Sequence, residues 1–266
     1  MLMPSITPPS QFSEEILAPP RMTPLAVLVT LKDFAIITYA VQPELLERHI
    51  PEPFELEVRE LADGTASAFI SAVTFWDCEF RLRACPWPRF AFGQTNYRAY
   101  ILHEGQRAGW FFGTSLATPF VQIPRHLWQL PWHPATMEYS TSWTDGRCSR
   151  YNKTTRGAWG TAEIELEGTS EPTGCLDGFA TEEDTAAVIT HPLVAYYRRR
   201  DGKIGTYSVW HERLHLQRAV AHRASFEVFH QLDLTTPDTR PHSVLLQQST
   251  DFTILLPPRL FGGYPK

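Results

Sequence analysis

The stretch LAVLVTLKDFAIITYAV, residues 25–41, decides the fold. It is almost wholly β-branched, aromatic and aliphatic, with Lys32-Asp33 as its one charged interruption, so it predicts one long strand or a bent pair. Just downstream, QPELLERHI (42–50) carries Pro43 where a first helical turn tolerates it, and Pro51 stops it, which predicts a short helix. Further β-rich runs follow at 65–80, 94–104, 108–116, 137–144, 147–155, 158–167, 204–210, 224–229 and 243–256. Asp63-Gly64, Glu104-Gly105, Asp145-Gly146 and Asp201-Gly202 suit the turns between them, because glycine accepts positive φ cheaply. One stronger helix is predicted after Thr181, which can cap it; Glu182, Glu183 and Asp184 suit the positive N-terminal end, and Pro192 interrupts it. Meander order with so little helix predicts an α+β, mainly β fold built on a mainly antiparallel, closed or nearly closed sheet, a β-barrel when closed.

At 266 residues the chain fits one large domain better than two small ones. Residues 1–24, with Pro4, Pro8, Pro9, Pro19 and Pro20, read as an extended arm, and 25–266 as a single barrel domain. No apolar run reaches a membrane span, and the N-terminus does not read as a secretory signal, so the expectation is a cytoplasmic protein. The net charge of −5 gives no electrostatic reason to expect nucleic acid or an anionic membrane as the main partner. Cys78, Cys85, Cys148 and Cys175 show no CxxC spacing and read as buried, reduced thiols.

Two cations stand in otherwise apolar strands. Lys32 is either at an edge, reaching solvent, or turned into the barrel, where burial would lower its pKa and make it an anion-binding charge or an amine nucleophile. Alternation places Asp33 on the opposite face. Arg98 shares a strand face with Asn96 and Tyr100; turned inward, that face offers a planar donor fork to a carboxylate. The segment TPFVQIPRHLWQLPWHP (118–134) is too broken by proline for one regular helix. Its Trp128, Trp132 and His133 either line a pocket or plug the barrel end. A second cluster holds Trp210, His211 and His215, but it lacks HExxH, and His126 and His133 have no nearby carboxylate, so no metal site is expected. No GxSxG, P-loop or GxGxxG occurs.

HIPEPFE (49–55) resembles the VPEPLE-type segment of the acetoacetate decarboxylase superfamily. FVQIPRHLWQLPWHP (120–134) resembles its GRELxGFPKK-type segment, with Arg125, Leu127, Trp128 and Pro131 in register, and HSVLLQQSTDFTILLPPRL (242–260) resembles its final strand. TNYRAYI, HPLVAYYRRRDGKIGTYSVWHERLHLQ and FTILLPPR are similar to the YqjF-like bacterial proteins, a distant branch of that superfamily. The resemblance implies a cone-like barrel around a small-molecule cavity. It also places Trp132 and His133 where acetoacetate decarboxylases carry the Schiff-base lysine and its neighbour; the pocket arginine falls at Lys32 and the pocket glutamate near Arg98. The apparatus for imine chemistry is therefore missing.

The reading that follows is a barrel binding a small carboxylate or carbonyl compound, without cofactor. Lys32 and Arg98 supply positive charge beside Tyr100, Trp132 and Trp210 shape the mouth, and His133 or His211 carries a proton. Turnover of lyase or isomerase type is one alternative, and a non-catalytic binding or homo-oligomeric interaction protein is the other.

Overall fold

The computed structural model describes residues 6–8 and 17–262. Most of the arm's Pro-rich start, residues 1–5 and 9–16, lies outside them. The apolar run becomes β1 (Val27–Val41), followed by helix α1 (Pro43–Glu47), which opens on its proline. Two short strands, β2 (Glu55–Leu56) and β3 (Val58–Glu60), lead into β4 (Ala66–Leu82). The hairpin of β5 (Phe90–His103) and β6 (Gln106–Leu116) comes next. The proline-broken segment holds a tight turn at Pro119–Val121, helix α2 (Gln122–Leu127) and β7 (Trp132–Pro134). β8 (Thr136–Thr144), β9 (Arg147–Gly157) and β10 (Gly160–Pro172) form a meander. Helix α3 (Glu182–Thr190) precedes β11 (Val194–Arg198) and β12 (Ile204–Trp210). β13 (Gln217–Phe226), helix α4 (Glu227–Gln231) and β14 (Ser243–Leu260) complete the order.

Strands β1-β4-β5-β6-β11-β12-β14 pair in that order, and β14 pairs back onto β1, which closes a seven-stranded barrel. β13, β10, β9 and β8 continue from β14 as a second layer over the outside of the barrel wall. The closing ladder runs antiparallel from Val27↔Ile254 to Thr38↔Ser243. Not every pairing is antiparallel, however: β6 pairs parallel with β11 and with β7. Neither strand reaches β6 through a hairpin, so nothing local forces antiparallel order.

Two cores account for the near-continuous hydrophobicity of β1, β4 and β5. Val29, Leu31, Phe34, Val73 and Phe75 fill the barrel interior with Val188 and Ile189 of α3, which stops one end. Ile37, Tyr39, Ile70 and Tyr97 face outward instead, against Tyr151, Ile164 and Phe226 of the second layer. Strands buried on both faces lose the simple alternation of a half-exposed sheet.

Several local expectations change. The register of β1 shifts between Lys32 and Ala35, where Asp33 takes a left-handed φ of 51°. That bulge turns Asp33 to the outer side that Lys32 already faces by alternation with Leu31, so the two do not lie on opposite faces. The sequence run predicted as a strand at 224–229 turns into α4 after Phe226, because the Glu227 carboxylate accepts from Thr161 N at 2.8 Å and Thr161 Oγ1 at 3.0 Å. Of the four free cysteines only Cys148 is buried; Cys78 is half-buried, and Cys85 and Cys175 are exposed. Asp145-Gly146 makes the β8–β9 turn with φ of 50° and 76°, the positive pair that a tight hairpin needs. No helix among the described residues is long and apolar enough to cross a membrane.

The plug helix is fastened by charge. Thr181 Oγ1 caps α3 by accepting from Asp184 N at 3.0 Å. The buried Asp184 carboxylate takes both Arg59 Nη1 (3.1 Å) and Nη2 (3.0 Å), and Arg59 Nη2 also reaches Glu57 at 2.8 Å. Arg59→Met should strip both buried carboxylates of their shared guanidinium and cost about 3–5 kcal/mol. Urea unfolding of the variant measures this, and a loss under about 1 kcal/mol would show that the cluster does not fasten the plug.

Candidate functional site

Between the plug and the α2–β7 segment lies a cavity of about 90 Å³, enough for several waters or one small organic molecule. Its wall is mostly aromatic and aliphatic: Phe34, Phe75, Phe111, Trp128, Trp132 and Phe252 are representative. Polar groups are few. Gln94, Asn96 and Arg98 come from one face of β5, Asp77 from β4, Thr190 and His211 from the plug end, and Tyr207 from β12. No lysine lines it.

Arg98 is 9% exposed. Its Nη2 donates to the Ile189 carbonyl at 2.8 Å, with the Tyr100 hydroxyl at 3.4 Å, while its Nε has no partner among the described residues. Ile189 lies in the last turn of α3, so the guanidinium meets the negative end of that helix. Arg98 makes no ion pair among the described residues, which is unusual for a cation this deeply buried. Asp77 is also buried, and its Oδ2 lacks a partner among the described residues. Burial raises the Asp77 pKa well above the usual carboxylate range, partly opposed by the charge of Lys153.

Lys153 stands behind the wall rather than in it. Its ammonium donates to Thr74 Oγ1 and to the Gln94 carbonyl at 2.8 Å, close to the Phe75 carbonyl at 3.4 Å, so β9 is pinned to β4 and β5 next to Asp77. Burial lowers its pKa to about 7, with Asp77 and Asp33 acting to raise it.

Of the residues expected from sequence, the structure brings Arg98, Trp132 and His211 into the cavity wall. Tyr100 supports Arg98 from behind, with its hydroxyl 2.7 Å from Ser71 Oγ and 3.3 Å from the Ile189 carbonyl. The other three face away, for reasons of strand alternation. Lys32 is exposed, because it alternates with the inward-facing Leu31. Trp210 sits between the cavity residues Val209 and His211 and points outward, its Nε1 donating to the Leu17 carbonyl at 3.3 Å. His133, next to Trp132, lies instead on Trp159, with ring centroids 4.0 Å apart. Its pKa is pushed down to about 4 by burial, then by Arg125 and Arg200.

His211 is present but tied down. Nε2 lies 3.1 Å from the Thr190 carbonyl and Nδ1 2.7 Å from the Glu212 carbonyl, and the ring stacks on Phe252 at 4.2 Å. A neutral imidazole carries one N–H and donates to only one of these carbonyls, while its other nitrogen is set against the second, so both nitrogens face the backbone. Asp77 is the titratable group that the sequence reading passed over. The signal was there in Val73, Phe75 and Asp77, which alternate on one face of an otherwise apolar strand.

With this geometry in place, the sequence match is informative: residues 29–251 fit the DUF2071 family, described as an uncharacterised conserved protein. The chain belongs to the DUF2071 family. No curated protein matches it. Solved structures share the fold of this DUF2071 protein at low identity. The acetoacetate decarboxylase-like enzyme from Sphingomonas wittichii RW1 aligns with a TM-score of 0.58 at 9% identity, over 90% of this chain and 94% of that one. Enduracididine biosynthesis enzyme MppR, complexed with pyruvate, gives 0.56 at 14% identity over 90% and 91%. Acetoacetate decarboxylase from Legionella pneumophila gives 0.55 at 10% identity over 91% of each. At such identities the likeness establishes the barrel architecture.

The buried imidazoles give this DUF2071 protein a defined acid limb. Burial lowers the pKa of His211 to about 4 and that of His191 to about 3, from the ordinary 6.5 of a free imidazole. The unfolded chain takes up these protons first, so stability is full above pH 6.5 and falls as the pH drops toward about 4. His211→Phe should keep the stack on Phe252 and flatten this limb, measured as the melting midpoint across that range. An unchanged slope would show that His211 is not a buried neutral imidazole.

Proposed function

We propose that the cavity binds a small carboxylate or carbonyl compound, with Arg98 as its anchor. The observation that carries this reading is the buried guanidinium with no ion-pair partner among the described residues. Burying a cation is costly unless an anion meets it, and a ligand carboxylate supplies one in the charge-assisted fork geometry that arginine favours. The aromatic wall then takes the apolar remainder of the ligand. MppR, of the same architecture, is described with pyruvate bound, which makes pyruvate a suitable probe.

Asp77 is the group suited to proton transfer. Burial favours its acid form, which can donate a proton to a carbonyl oxygen or carbanion, and as carboxylate it can take one from a carbon next to a carbonyl. That supports a lyase- or isomerase-type reaction. The immobilised His211 and the absence of an amine in the wall favour the second reading, a barrel that holds its ligand without turning it over.

Titration calorimetry with pyruvate separates these. Arg98→Met should weaken binding about ten- to a hundredfold, the loss of a charge-assisted hydrogen bond. Equal binding by wild type and variant would overturn the anchor. Deuterium exchange into the pyruvate methyl group, followed by NMR, tests Asp77: the wild type should promote it and Asp77→Asn should not. Binding without exchange in the wild type selects the non-catalytic reading.

Imine chemistry should be absent. Borohydride with pyruvate or acetoacetate should leave the mass of the protein unchanged, since no lysine lines the cavity, Lys32 is exposed, and the resemblance to acetoacetate decarboxylases puts Trp132 and His133 at the lysine positions. An adduct on Lys153 would show that the wall between it and the cavity opens, and would restore the Schiff base.

A further inference from the structure

The apolar surface of the molecule is concentrated at one place. Nine large hydrophobic side chains are exposed among the described residues, and six of them fall in three segments: Leu25 in 17–26, Leu82 and Trp87 in 79–90, and Phe120, Ile123 and Leu127 in 117–134. The fold brings these segments together. Ala84 N donates to the Pro24 carbonyl at 3.0 Å, Arg83 N to the Ala26 carbonyl at 2.8 Å, and the rings of Phe90 and Phe120 meet at 4.8 Å. The side chains are presented outward: Trp87 is 72% exposed, Leu127 66%, Ile123 60% and Phe120 50%. Helix α2 buries none of its residues, so packing against the protein does not explain its apolar face. Phe80, Trp128, Leu130 and Trp132, from the same segments, line the cavity. The patch therefore borders the cavity wall.

Charge is distributed unevenly in the same way. The chain as a whole carries −5. These three segments hold five arginines, Arg21, Arg81, Arg83, Arg89 and Arg125, against one acid, Glu79. Glu79 is already taken up, because Arg89 and Arg81 both pair with it. The overall negative charge therefore hides a local positive face with tryptophan, phenylalanine and branched aliphatic side chains standing out of it.

We propose that this face is a docking surface for an anionic lipid bilayer. The composition fits that occupant: apolar and aromatic tips insert at the headgroup boundary while arginines meet anionic lipid. A second copy of the chain is a poor occupant, since an isologous contact would set the same arginines against one another with no free acid between them. No spanning helix is involved; the contact is peripheral, through short loops and α2.

Flotation of the full chain with phosphatidylcholine vesicles, with and without phosphatidylglycerol, tests the surface. The protein should float with the mixed vesicles and stay in solution with pure phosphatidylcholine, and raised salt should release it. Ile123→Ser with Leu127→Ser should weaken partition at least about tenfold, and Arg83→Gln with Arg89→Gln about fivefold per arginine. All four positions are exposed or at the surface, so the melting midpoint should not move, and pyruvate binding should be unchanged. Failure of wild type to float with anionic vesicles at low salt overturns the proposal. So does flotation that the Ile123 and Leu127 substitutions leave intact. A concentration-dependent dimer that these same substitutions abolish, without lipid binding, assigns the face to a second copy and also overturns it. Loss of pyruvate binding by Arg98→Met is a separate result that leaves the flotation outcome unaffected.

Discussion

The ladder between β1 and β14 is the constraint on which the rest of the molecule depends. It joins residues separated by more than two hundred positions, from Val27↔Ile254 to Thr38↔Ser243, and it converts an open sheet into a barrel. Closing so long a loop is entropically costly, though the cost grows only slowly with length. What offsets it is burial on both faces. One face of β1 enters the barrel core, and from Ala35 onward the other meets the second layer, so both faces of that stretch bury apolar side chains. The same closure sets Val29, Leu31 and Phe34 beside Phe252, Ile254 and Leu256, which form one wall of the cavity.

Much of this architecture was legible from residue pattern. β-rich runs separated by Asp-Gly and Glu-Gly turns, and a Thr181-capped helix with three acids in its first turn, foretell the elements closely. What was not legible follows from physics that a local pattern does not carry. The parallel partners of β6 depend on where the chain returns after the β8–β10 excursion. The direction of Asp33 depends on a single bulge: Leu31 and Phe34 both enter the barrel core, so the phase of alternation reverses between them. β11 and β7 are too short for their periodicity to show.

The site was half legible for the same reason. Arg98 shares its strand face with Gln94 and Asn96, as alternation along β5 predicts, and it reaches the cavity; Trp132 reaches it from the short β7. His133 and Trp210 are one residue out of phase with cavity neighbours and point the other way. Recognising His211 as a fixed ring needed the carbonyls of Thr190 and Glu212, which sequence does not place. Asp77 shows the converse: its position on the strand face was readable, but its significance comes from burial and from Lys153, which arrives from a strand in the other layer.

The last turn of α3 has one further consequence. Its Ile189 carbonyl holds Arg98, and the adjoining Thr190 carbonyl faces His211, so a single helix end contacts groups from β5 and from the chain after β12. None of these three pieces can form the site with its sequence neighbours alone. The cavity has no local precursor in the unfolded or half-folded chain and exists only when the whole barrel does. Any molecule held there is linked thermodynamically to the global fold and not to one hairpin, so its occupancy and the survival of the closed barrel rise and fall together by mass action.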